Sequence, residues 1–379
     1  YMKFPKFRLP FRKKDVPFFI VIDVGSHSVK AGIYKRATEI ATQKILGMGQ
    51  QDQGADSMYG GFIRDLDAVI ETTNLAIEEA VLQAGVKPKE AIIGLSGGVL
   101  HSEGFRVRTN RTEPNEMITE DEFSLIANHI EDQTLEHAEK SLLAHREGEF
   151  KRVETSFTQY KIDGARVITP IGVSGKQLEV SVLHYFSEES QTHIVNSLAN
   201  QVDVEIVSLV DTSVQLAAIT SIEKQQFVLI DVGGSVTSVV IVNDGKIERS
   251  EPLFMGGDDY VWAIQKLMNV HREGALSLFQ GYTQGNLDDE RARNVRRAIE
   301  DMSDWIVEGV ATTLHSMKLT RVPATVIVAG EIRHVKEFTK AMSVYPWAGV
   351  PFAGTLDIQT IPGKTPHLDA LAGLAEYVL

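Results

Sequence analysis

The chain writes one phrase twice. Residues 18–33 read FFIVIDVGSHSVKAGI and residues 227–241 read FVLIDVGGSVTSVVI. Each copy is an apolar run ending in Asp-Val-Gly, a short loop of glycine and hydroxyl residues, then a second apolar run. Short apolar runs punctuated by glycine predict two β-strands joined by a tight turn. Written once in each part of the chain, the phrase predicts two related β-rich halves.

With 379 residues the chain is too long for one ordinary core. Its 43% hydrophobic and 23% charged residues fit a globular protein. No apolar run approaches the roughly 20 residues of a membrane-spanning helix, and none follows the basic start as a secretory signal would. The absence of cysteine excludes disulfides and thiolate metal sites, and suits the cytosol. A net charge of −13 argues against nucleic acid as a partner, because that affinity comes from clustered Lys and Arg on phosphates. The local exception is residues 1–16, where Lys3, Lys6, Arg8, Arg12, Lys13 and Lys14 interleave with Phe4, Phe7, Leu9 and Phe11. Pro5 and Pro10 spoil a regular helix there. The segment reads either as a solvated tail or as a patch that adsorbs to an anionic membrane surface.

DLDAVIETTNLAIEEAVLQAG spaces Leu66, Val69, Ile70, Ile77 and Val81 for a helix that stops at Gly85. EAIIGLSGG reads as a buried strand ending in glycines. The texture then changes over 99–178, where a helix opens on Thr119 and Glu122 as a capping box; an inserted small α+β subdomain is expected. QLEVSVLHYF is read as the return to the first half, followed by a helix capped by Ser187. Asn243-Asp244-Gly245 is a hairpin turn signal. Val295, Ile299, Met302, Ile306, Val310, Leu314 and Met317 form the core stripe of a long helix. The expected division is a first half of 17–98 and 179–224, closed by 350–379, the insert at 99–178, and a second half at 225–349.

Rossmann and P-loop glycines are followed by a helix whose N-terminus receives the phosphate. Here a strand follows both times, so the loops are read as hairpins whose backbone N–H groups form an anion nest. Gly25, Gly233 and Gly234 allow close approach; Ser26, Ser28, Ser235 and Thr237 add hydroxyl donors. Asp23 and Asp231, at the strand ends, are placed to hold Mg²⁺ through its waters. Two such hairpins, one per half, can grip a polyphosphate between them.

At this point the residues carry a resemblance. VIDVGSHSVKAGIY and LIDVGGSVTSVVI resemble the two phosphate loops of the actin, hexokinase and heat-shock-chaperone superfamily, with Lys30 in the first. Gly256 and Gly257 resemble the glycine pair that follows the second loop. The stretches GGFIRDLDAVIETTNLAIEEA, MITEDEF, YKIDGARVITPIGVSGKQLEVSVL and TPHLDALAGLAEYV are most similar to the FtsA family of bacterial division actins. The resemblance implies an α/β, actin-like two-domain fold with two ribonuclease-H-like halves and the small insert of that family. It implies ATP or ADP with Mg, self-association into filaments, and the C-terminal peptide of FtsZ as a partner on the half carrying the long helix. It also implies other division proteins on the insert, and a cytoplasmic site on the inner face of the membrane. The family's amphipathic anchor is not legible at GLAEYVL: either the sequence stops short of it, or the basic start or a membrane partner is expected to replace it.

Three departures qualify the resemblance. VIVAGEIRHV keeps Gly330 on the adenosine side but puts Glu331 beside it, and the family's Ala-Glu-x-x-Lys signature is not legible in HREGALSLFQGY. VDTSVQLAAITSIEKQQ offers no clear acid for an attacking water; Gln215 there is read either as a water-orienting group or as an exposed helix residue. Nucleotide is therefore expected to close the halves structurally, with slow hydrolysis at most. The runner-up is a PilM-like scaffold of type IV pilus or secretion assembly, and behind it a sugar or acetate kinase, whose catalytic Asp is not evident. GLSGG at Gly94–Gly98 matches the nucleophile elbow in letters, but no helical period follows Ser96. No His pair has metal-binding helical spacing.

Overall fold

The computed structural model describes residues 17–35, 45–54, 56–95, 97–146, 148–221 and 224–361, with Leu371 and Leu374. The basic segment 1–16 and Ser96 lie outside the described residues.

The first half opens with the first copy of the repeat, β1 (Phe18–Val24) and β2 (Ser28–Lys35), followed by β3 (Ile45–Asp52). A small hairpin, β4 (Met58–Tyr59) and β5 (Phe62–Ile63), leads into α1 (Leu66–Ala84) and β6 (Glu90–Leu95). The next elements are β7 (His101–Asn110), α2 (Glu120–His145), β8 (Phe150–Ile162), β9 (Ala165–Val167) and β10 (Gln177–Glu188). Then α3 (Glu189–Gln201), β11 (Glu205–Asp211) and the connector α4 (Thr212–Thr220) return to the first half. The second copy forms β12 (Phe227–Val232) and β13 (Thr237–Asn243), followed by β14 (Lys246–Leu253). The rest of the second half is α5 (Gly257–Met268), α6 (Arg272–Thr283), α7 (Asp289–Ser316), β15 (Thr325–Gly330), α8 (Lys336–Val344) and β16 (Asp357–Thr360).

The duplication is complete at the level of topology. One five-stranded sheet runs β11-β6-β1-β2-β3 and the other runs β16-β15-β12-β13-β14. In both, the hairpin strands and the third strand are antiparallel, and the two remaining strands join parallel on the far side. Asp23 and Asp231 hold the same place, one residue before the strand end. This is the actin-like fold, with two ribonuclease-H-like halves.

One core joins the first sheet to one face of the second, through Phe227, Leu229, Val240 and Ile327, and another packs the second sheet's other face on α5, α7 and α8. Leu371 and Leu374 are buried with the first one, against Gly32 and Gly94. The α7 stripe from Val295 to Met317 is buried as its spacing predicts; each such side chain is worth roughly 1.5–3 kcal/mol. Asp65 caps α1, accepting from Ala68 N–H at 3.1 Å, and Gly85 ends it in the left-handed conformation. Asp244 and Gly245, at φ 50° and 72°, make the predicted turn between β13 and β14.

Residues 101–188 form a separate four-stranded sheet, β7-β10-β8-β9, backed by α2. Three local readings change here. The strand read as the return to the first half, β10, pairs along its whole length with β7 and β8, so this sheet extends past residue 178. Thr119 does cap α2 through Glu122 N–H at 3.1 Å, but the Glu122 carboxylate turns to Arg111, at 2.7 and 2.9 Å, and makes no reciprocal bond. Ser187 does not cap α3; its hydroxyl donates to the Val99 carbonyl at 2.9 Å.

Candidate functional site

The twin hairpins face each other. In each turn the glycine N–H closes a bond across the loop, Gly25 to the Ser28 carbonyl at 3.2 Å and Gly233 to the Val236 carbonyl at 2.9 Å. The turns nearly touch: a Cβ on Gly234 would lie 2.8 Å from both Cβ and the backbone nitrogen of His27. Behind this contact lies a cavity of about 90 Å³. Gly25, Ser26, Ser28 and Lys30 line it from the first half, Gly233, Gly234 and Gly330 from the second, with Asp23 and Asp231 in the floor. His27, Thr212, Leu216 and Val236 complete the wall.

The floor is acidic. Asp23 is buried and its Oδ1 accepts from the Thr212 hydroxyl at 2.9 Å; its other oxygen stands 3.9 Å from Lys30 Nζ. Burial raises its pKa, against the pull of Lys30 and the Thr212 bond. Asp231 accepts from the Ser213 hydroxyl at 2.8 Å. A third carboxylate sits with them. Asp211 caps α4 by accepting from Val214 N–H at 3.0 Å. Burial pushes its pKa up to about 7, with the negative Asp231 and Asp23 adding to the effect against its backbone hydrogen bonds. The segment before the second loop thus places a buried acid next to Asp23 and Asp231, which the sequence reading did not single out. The Asp-Thr step at a strand end was the available signal, legible as a helix cap. Gln215 is neither water-orienting here nor exposed: it is buried and its Nε2 donates to the Tyr185 hydroxyl at 2.8 Å.

Several predicted hydroxyls and glycines do not line the cavity. Ser235 Oγ accepts from Gly60 N–H at 2.8 Å, tying the second loop to the first half. Thr237 donates to the Met255 carbonyl at 2.8 Å. Gly256 packs on the loop, and the N–H groups of Gly257 and Asp258 donate to the Gly233 and Gly234 carbonyls at 2.8 Å each. These residues hold the shape of the second turn. Glu331 begins a short 3₁₀ turn directly after Gly330.

Among the described residues five buried side-chain atoms have no hydrogen-bond partner, and two of them lie at this site: Ser26 Oγ in the cavity wall and Asp211 Oδ2 behind its floor. A buried polar group left unpaired costs roughly 1–3 kcal/mol, so a site that keeps two of them is built for something that satisfies them. A hydroxyl donor suits a phosphate oxygen; a carboxylate oxygen suits metal-bound water. Among the described residues no group of three or more His, Cys, Asp or Glu is arranged to hold a metal ion directly, and no helix is long and apolar enough to cross a membrane.

No protein-family model matches the chain. Eight curated proteins match, and the eight are cell division proteins FtsA, at 21–23% identity. The protein from Streptococcus pneumoniae is 23% identical over 328 residues, covering 85% of this chain and 66% of the relative. That from Enterococcus faecalis is 22% identical, covering 70% and 58%. The chain thus spans less than two thirds of the length of these two relatives. Among solved structures, a chain of the PilM–PilN type IV pilus biogenesis complex superposes with a TM-score of 0.61 at 12% identity, covering 95% of this chain and 98% of that one. The ethanolamine utilization protein EutJ from Carboxydothermus hydrogenoformans gives 0.53 at 12% identity, covering 95% and 90%. The chain is similar in sequence to the FtsA cell division proteins, and its twinned sheets have the actin-like fold.

Proposed function

We propose that the cleft binds ATP or ADP with Mg²⁺, and that the chain is a nucleotide-dependent, actin-like adaptor of bacterial cell division. The facing hairpins with the orphaned Ser26 hydroxyl carry the nucleotide reading. Ser26 and Ser28 supply hydroxyl donors, Gly25, Gly233 and Gly234 keep the turn backbone free of side chains at the cavity, and Lys30 supplies the positive charge. Asp23 and Asp231 place carboxylates in the floor, with Asp211 behind them, so a polyphosphate enters it only with a divalent cation, held through water. The cavity of about 90 Å³ is well below the roughly 300–1,000 Å³ of a ligand pocket. The turns at Gly234 and His27 must therefore part to admit a nucleotide, and turnover is slow. A rate within the usual enzyme range of about 1–10³ per second would overturn that part.

On this reading the protein works at the cytoplasmic face of the membrane, self-associates into filaments, and takes the FtsZ C-terminal peptide on the half built around α7. The insert meets neighbouring subunits or other division proteins, and the basic segment 1–16 adsorbs to lipid. The first test is fluorescence anisotropy of a labelled FtsZ C-terminal peptide against an unrelated peptide, with and without Mg-ATP. Specific micromolar binding supports the division adaptor. In parallel, Ser26→Ala is expected to weaken Mg-ATP about tenfold by calorimetry, the size of one hydrogen bond to a charged group; an unchanged affinity would remove Ser26 from the site.

A second reading has its own observation. The chain from the pilus complex is covered over 98% of its length, whereas the first FtsA relatives are covered only in part. Folded protein that ignores the FtsZ peptide but captures the cytoplasmic tail of a pilus inner-membrane protein would establish the scaffold role.

A further inference from the structure

The insert belongs by chain connection to the first half, entering after β6 and leaving into α3. It is anchored there by the Ser208 hydroxyl, which donates to Glu154 Oε2 at 3.1 Å, and by Ser187 on Val99. It also grips the connector: Gln159 Nε2 donates to the Ser221 hydroxyl at the end of α4. Its third set of contacts reaches the second half. β7 lies alongside β14, so close that a Cβ on Gly104 would sit 2.3 Å from the Ile247 carbonyl oxygen. As β7 advances to Arg106, its contact moves back to Asp244, whose carbonyl accepts from the Arg106 guanidinium. Arg106 is braced by Glu179 of β10 at 3.4 Å. Lys246 Nζ stands 5.7 Å over the Phe105 ring, and Arg146, at the end of α2, pairs with Glu251.

We propose that the insert is a clasp on the cleft. Through β7 and Arg146 it holds β14, and so keeps the halves in the closed relation in which Gly234 meets His27; the cleft opens when β7 releases β14. One body that touches both halves and their connector cannot be indifferent to their relative motion. The clasp is independent of what enters the cleft. Its effect on ligand rests on the nucleotide reading above: whatever binds the insert and loosens β7 from β14 speeds nucleotide exchange, and by linkage nucleotide alters the insert's affinity for that partner by the same factor, about fivefold or more.

The chain has no cysteine, so Glu78→Cys on α1 and Glu290→Cys on α7, both exposed, accept a dye pair uniquely. Single-molecule energy transfer on ligand-free protein is expected to give one narrow distance distribution. Arg106→Ala with Arg146→Ala is expected to add a longer-distance population and to quicken exchange of a fluorescent ATP analogue about fivefold or more. Arg146→Glu alone should open the clasp, and Arg146→Glu with Glu251→Arg should close it again, a rescue that misfolding would not produce. Variants with native circular dichroism and the wild-type distance distribution would overturn the clasp. Failure of the analogue to bind wild type would overturn the nucleotide reading while the distances still judge the clasp.

Discussion

Asp211→Asn is expected to stabilise the ligand-free protein above pH 7, by on the order of 4 kcal/mol, and to weaken Mg-nucleotide in the same variant. In the unfolded chain this carboxyl ionises near its ordinary value of 3.8; in the folded chain it keeps its proton up to about 7. Between those values the unfolded state binds fewer protons than the native one. Stability therefore falls as pH rises, by about 1.4 kcal/mol per unit for this one group, and the loss is complete above pH 7. Asparagine has no proton to hold. It keeps the cap on Val214 N–H and turns an amide donor toward the floor where Asp211 Oδ2 now has no partner. The measurement is urea unfolding of wild type and variant at pH 8, 6 and 4.5. The gap should be widest at pH 8 and nearly gone at pH 4.5; a gap independent of pH would mean that the buried charge is not its cause. A chain that retains an acid where an amide is more stable is giving up stability for function.

Why the twin strands were legible and this acid was not comes down to range. The repeated strands, the turn at Asp244-Gly245, the stop at Gly85 and the α7 stripe are local patterns, and spacing along the chain determines each. The neighbourhood of Asp211 is set by sheet register: Asp211 pairs with Leu95, and Leu95 with Val24, which carries the carboxylate to the same end of the sheet as Asp23. Nothing within the segment VDTSVQL records that. The same limit explains β10, whose apolar run looks alike whichever sheet receives it, since periodicity names a face but no partner. It also explains the second loop. Ser235 and Thr237 are hydroxyls in a phosphate-loop pattern, yet one accepts from Gly60 of the other half and the other holds Met255. Sequence spacing identified the loop and could not divide its hydroxyls between binding and bracing.

Gly330→Ala is expected to cost roughly 3 kcal/mol of stability and to weaken nucleotide binding, although this residue was singled out from the sequence only as the adenosine side of the site. Its backbone, at φ 82° and ψ 177°, lies in a region that is essentially glycine's alone. Space forbids a side chain as well: a Cβ would sit 2.1 Å from the Val232 carbonyl oxygen and 2.9 Å from its carbon. That obstacle is strand backbone, the last residue of β12 before Gly233, so the sheet edge and the second loop must shift together to admit a methyl group. Gly285 supplies the control. It too is left-handed, at φ 72°, but nothing lies within 4 Å of a Cβ there, so Gly285→Ala should cost only the roughly 1–2 kcal/mol of the conformation itself. Urea unfolding of the two variants separates conformation from contact, and calorimetry with Mg-ATP then tests whether the shift reaches the site. Equal costs for the two substitutions would show that β12 and β15 yield to a methyl group. Lost affinity in Gly330→Ala alone would show that the second hairpin owes its aim to this strand end.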